Sequence, residues 1–85
     1  METDRVIFRY WPEARDVIAF LPDSDANPGY VMAYEHIGQH GEADYNGLLS
    51  ETRLATFAEY ADLLAELVSI GYNPVICKRL AWRGI

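Results

Sequence analysis

The sequence predicts a small α+β domain, an antiparallel sheet with elements in the order β-β-β-α-β packed against one amphipathic helix. Three observations carry this: apolar runs too short for helices and punctuated by proline, a capped segment of helical periodicity after residue 56, and a closing β-branched run. The 85 residues form a single domain, 1–85. A chain of this size buries about 60–65% of its unfolded surface, enough for one modest core and too little for a deep enzymatic cleft between lobes.

Residues 5–11, RVIFRYW, combine β-branched and aromatic types and stop at Pro12, which reads as a strand and turn. Residues 16–21, DVIAFL, follow after four residues and end at Pro22, so a hairpin is the economical connection. The turn-rich stretch PDSDANPG leads into YVMAYEHI, residues 30–37, a third strand with Tyr30, Met32, Tyr34 and His36 on one face. In the helix, Thr56 and Glu59 have the spacing of a capping box, and Gly71 with Pro74 ends the segment. Projected at 100° per residue, Phe57, Tyr60, Ala61, Leu64, Leu67 and Val68 crowd one arc, with Glu59, Asp62, Glu66 and Ser69 opposite. PVICKRLAW, residues 74–82, is the final strand, its basic residues suiting an edge. Residues 38–55 fit no strand; they hold either a short helical turn around Leu48 and Leu49 or a functional loop.

Charge is distributed unevenly. Eleven acidic residues lie between Glu13 and Glu66 against two bases, Arg15 and Arg53, a formal −9 inside an overall −6. Such a field repels nucleic acid and anionic membrane and attracts basic surfaces, including those of nucleic-acid-binding proteins. On the helix Glu59, Asp62 and Glu66 form a stripe with axial steps of about 4.5 and 6 Å, wider than the ~3.4 Å between charges on one strand of a duplex. The stripe alone is too sparse to copy a phosphate backbone. Asp23, Asp25, Glu42 and Asp44, with Glu13 and Asp16 from the first turn, must converge on it to make one partner-binding patch. If they do not, the acidity serves solubility.

Other chemistry is weaker. His36 and His40, with Glu35, Glu42 and Asp44, contain enough nitrogen and oxygen donors for a transition metal, but Gly38 and Gly41 argue against the helix that would aim two histidines four residues apart together. A glycine-supported turn is the competing reading, and it is favoured, so no metal or other cofactor is expected. The aromatics, Tyr45 in the long segment foremost among candidates for a partner contact, lack the basic frame of a nucleobase platform. No nucleophile or oxyanion arrangement stands out, so a non-enzymatic role is expected. A lone Cys77 after the apolar Val75 and Ile76 reads as a buried thiol, and no run is long and apolar enough to span a membrane or serve as a secretion signal, so a cytoplasmic location is expected.

Taken together, RYWPEARDVIAFLPD, EHIGQHGEADYN and EYADLLAELVSIGYN resemble a family of small proteins from phages and mobile elements. The resemblance covers nearly the whole chain. Its most specific part is the loop that here runs from Gly38 to Gly41 and on through Ala43, Asp44 and Tyr45. The family includes an anti-CRISPR protein that acts on the type I-C surveillance complex, Cascade. The resemblance therefore implies an inhibitor in the bacterial host cytoplasm that binds the complex and keeps target DNA from docking, and it supplies no contact residues. Two alternatives stay open on the residues alone: an acidic module for another nucleic-acid-binding protein, and a small histidine and carboxylate metal protein.

Overall fold

A computed structural model describes residues 3–24, 30–35, 40–43 and 45–78. The expected class holds. Strands β1 (Asp4–Trp11), β2 (Asp16–Leu21), β3 (Val31–Tyr34), β4 (His40–Ala43), β5 (Arg53–Leu54) and β6 (Pro74–Cys77) join one sheet with helices α1 (Tyr45–Leu49) and α2 (Phe57–Ser69). The sheet runs β4-β3-β2-β1-β5, and β6 also pairs β1. β1–β2, β2–β3, β3–β4 and β1–β5 are antiparallel. β6 departs from the expected antiparallel sheet by joining β1 in parallel, with Val6 opposite Ile76. The helix supplies the long return that a parallel neighbour requires. Its start is tied down by Asp4: the Asn73 amide donates to Asp4 Oδ2 at 2.9 Å, and the Asp4 amide donates to the Asn73 carbonyl at 2.9 Å.

Alternation along β1 and β2 divides the core in two. Val6, Phe8, Ala19, Leu21 and Tyr34 pack beneath α2 with Leu63 and Leu67. Ile7, Ile18, Phe20, Val31 and Ala33 face the other way and pack against Tyr45, with Leu48 alongside. α1 thus lids the second face and is the short helical turn expected around Leu48 and Leu49, while the same segment also contributes the unexpected strands β4 and β5. Tyr45 is accordingly a core residue, 6% exposed and edge-on to Phe20 at 4.8 Å, and not the surface contact its place in the sequence suggested. Thr52 closes this segment by donating from its hydroxyl to the Leu48 carbonyl at 2.7 Å, while Arg9 donates to Thr52 Oγ1 and to its carbonyl, both at 2.7 Å.

The helix is capped at both ends as its sequence requires. The Glu59 amide donates to Thr56 Oγ1 and the Thr56 amide to Glu59 Oε1 at 2.8 Å, a reciprocal capping box. At the other end Tyr72 N–H donates to the Leu67 carbonyl and Gly71 N–H to the Val68 carbonyl, each at 3.1 Å, and Gly71 takes φ +113°, a conformation costly for any other residue. The buried arc is rotated from the expected one. Leu63 and Leu67 are buried with Tyr60 and Leu64 packed beside them, whereas Phe57 and Val68 stay largely exposed. The expected strand spans 30–37 and 74–82 are shorter here at Val31–Tyr34 and Pro74–Cys77; residues 36–39 and 79–85 lie outside the described residues.

Candidate acidic groove

Rotation of the buried arc changes where the helical carboxylates point. Leu63 and Leu67 seat the helix over β1 and β2, so Glu59, Asp62 and Glu66 do not stand opposite the core: Glu66 reaches Tyr34 of β3 and Glu59 reaches Arg53 of β5. All three line a groove of about 300 Å³. Asp16 at the start of β2 and Glu35 just past the end of β3 also line it, with Tyr10, Val17 and Leu63 as its apolar lining and Arg15 as its lining cation. Asp16 and Glu35 meet because β2 and β3 run antiparallel, with Ala19 opposite Tyr34, so the start of one strand and the end of the other share an end of the sheet. The turn Pro12–Glu13–Ala14–Arg15 delivers Asp16: the Arg15 amide donates to the Pro12 carbonyl at 3.3 Å, and Arg15 itself takes φ +52°.

The five carboxylates are not equivalent. Glu66 accepts a hydrogen bond from the hydroxyl of Tyr34, a side chain with no exposed surface, and so anchors the helix to β3. Glu59 is gripped by Arg53, whose guanidinium donates to Glu59 Oε1 at 2.8 Å and Oε2 at 2.6 Å while lying 4.5 Å over the Tyr10 ring. The Arg53 hydrogen bonds and, after them, the Thr56 amide lower the Glu59 pKa from 4.5 to about 2. Asp16 accepts from the Val17 amide at 2.9 Å. Asp62 and Glu35 are exposed. These two offer the groove its most accessible charge.

The low Glu59 pKa sets a pH dependence. A carboxyl whose folded value is depressed adds stability above its unfolded value and loses it as pH falls through the folded one, here from about 4.5 down to about 2. Glu59→Gln is expected to flatten stability against pH in that window, read from urea midpoints across an acid series. Thr56→Ala, which removes the other half of the box, should cost about 1 kcal/mol at neutral pH.

The remaining sequence candidates are placed as follows. Asp23 lies away from the groove: Arg5, which alternates with the α2-facing Val6 and so projects from the opposite face, donates to Asp23 Oδ1 from Nε at 3.0 Å and from a terminal nitrogen at 2.8 Å, and the Arg5 amide donates to Asp23 Oδ2 at 2.9 Å. It serves as a clasp between β1 and the turn after β2. Glu42 is in β4 opposite Met32. Asp25 and Asp44 lie outside the described residues, as does His36, and His40 begins β4. Among the described residues no group of three or more His, Cys, Asp or Glu side chains is close enough to hold a metal ion. Nor does any described helix have the length and apolarity to cross a membrane. The helical stripe and Asp16 were legible as acidic positions, whereas Glu35 was read only as a possible metal donor. The missing signal was strand pairing, which brings residues 16 and 35 to one end. Comparison with protein-family models, with curated proteins and with solved structures found no match to this chain.

Proposed function

We propose that this protein is a non-enzymatic inhibitor that binds the basic DNA-binding surface of a host complex through the groove beside α2. The observation that carries the reading is the gathering of five acidic residues, Glu59, Asp62 and Glu66 on the helix and Asp16 and Glu35 at the strand ends, around one groove with a single lining cation. Acids gathered around one groove attract lysine and arginine side chains, speed association and oppose nucleic acid itself. With the helical steps wider than duplex charge spacing, the groove suits individual basic side chains entering it better than the imitation of a continuous phosphate strand. The partner is proposed from the family resemblance as type I-C Cascade, which presents rows of basic residues to DNA, and the setting as the bacterial cytoplasm.

The test uses purified type I-C Cascade and its target duplex. Saturating protein should prevent the duplex from binding, and its own affinity for the complex should fall as salt rises. A complex that binds its duplex unchanged sinks the Cascade assignment. In that case, groove-dependent capture of a different nucleic-acid-binding protein from host lysate would leave the acidic-module reading standing.

A further inference from the structure

We infer that the Tyr10–Glu59 end of the groove is a guanidinium site, held in the free protein by Arg53, and that an arginine of the basic partner takes the place of Arg53 on binding. The inference rests on the groove being the contact surface, and it adds which side chain the groove selects and what restrains its entry. Tyr10 and Glu59 both line the groove. Tyr10 lies opposite Arg53 in the β1–β5 pair, so the two side chains share a face of the sheet, and by alternation with Phe8 that face carries α2. The arrangement has the shape a guanidinium requires: one N–H donor reaches each Glu59 oxygen, at 2.8 and 2.6 Å, and the Tyr10 ring lies 4.5 Å beneath. A lysine ammonium is a point charge with neither the fork nor the plane that this pairing uses.

Two features make the occupant exchangeable. Glu59 does not depend on Arg53 for its position, because the Thr56 amide donates to Glu59 Oε1 at 2.8 Å as part of the helix cap, so the carboxylate stays in place when the guanidinium leaves. Arg53, in contrast, belongs to a two-residue strand, and its side chain is 50% exposed. Among the described residues its guanidinium has one further hydrogen bond, to the Leu54 carbonyl at 3.1 Å. Breaking a half-exposed ion pair of this kind shifts an equilibrium by about fivefold at most. An incoming arginine restores the same two bonds and the same stack, while Arg53 returns to water. Basic side chains of the partner held at the exposed Asp62 and Glu35 raise the local concentration of that arginine. Arg53 is thus a resident competitor that an arginine replaces like for like and a lysine does not.

Blocked hexa-arginine and hexa-lysine peptides, which carry equal charge and differ in head group, test this when titrated into the full chain. Hexa-arginine should bind more tightly by at least about twofold. In isotope-labelled protein the Arg53 Nε–H resonance should move to the position of a solvated arginine as hexa-arginine saturates, and far less with hexa-lysine. Arg53→Gln should tighten hexa-arginine binding by about two- to fivefold. Equal affinities for the two peptides, an Arg53 resonance that stays in place at saturation, or an Arg53→Gln variant that binds hexa-arginine no more tightly overturns the inference and leaves the groove standing as an acidic contact surface. A chain that binds neither peptide overturns it together with the electrostatic reading of the groove.

Discussion

Replacing Phe8 with alanine is expected to cost about 3–5 kcal/mol, against a total stability of about 4–13 kcal/mol for a domain of this length. Phe8 is 2% exposed at the centre of β1. Its ring stacks on Tyr60 of α2 with centroids 4.4 Å apart and planes 6° from parallel, so it joins the central strand to the helix. Truncation removes that contact and the burial together, and the neighbouring strands, held by β1 pairing on both sides, cannot collapse into the space. Tyr60 also meets Phe57, edge-on at 5.5 Å, but from the exposed side. Phe57→Ala should therefore cost about 1 kcal/mol or less, since little area is withdrawn from burial. Urea unfolding separates the two: the Phe8 variant should lose a large share of its midpoint and the Phe57 variant little, with the slope nearly unchanged. Equal losses from the two phenylalanines would mean that the stack is not what fastens α2 to the sheet.

The same helix shows what the sequence could and could not reveal. Thr56, Glu59 and Gly71 act within a turn of their own backbone, so spacing alone identified the capping box and the helix end. β1 and β2 were legible for the same local reason, their apolar runs ending at Pro12 and Pro22. β4 was not, because HGEA has no β-branched residue and exists as a strand through pairing with β3. The projection also assumed that every apolar position of the helix is buried. The sheet ends at β6, so the contact arc centres between Leu63 and Tyr60, and Phe57 and Val68 emerge on one side as Glu59 and Glu66 are drawn toward the sheet on the other. A charge count located the acids, but it could not show that Arg5 holds Asp23 on the opposite face or that antiparallel pairing carries Glu35 to Asp16.

Those placements decide which charges can be reversed cleanly. Glu66 supports the buried Tyr34 hydroxyl, Glu59 holds both Arg53 and the helix cap, and Asp16 holds the Val17 amide, so a change at any of them confounds binding with folding. Asp62 and Glu35 are both exposed and both line the groove. Reversing both to lysine changes the groove by four charges and sets like charges against an incoming lysine or arginine, a juxtaposition that costs several kcal/mol. At about 1.4 kcal/mol per tenfold, binding to the basic partner should fall at least about a hundredfold. The loss should appear chiefly in the association rate, and the variant's residual binding should depend less steeply on salt than the wild type's. Thermal unfolding should move little, as expected for exposed side chains. Asp23→Asn is the control, since it removes an acid of the same sequence interval from the other face: it should weaken the β1 clasp while leaving partner affinity within about twofold, because its charge is already paired with Arg5. If the double reversal binds as tightly as the wild type, the groove is not the contact surface. If Asp23→Asn lowers affinity as much as the double reversal, total charge governs binding and the groove has no special role.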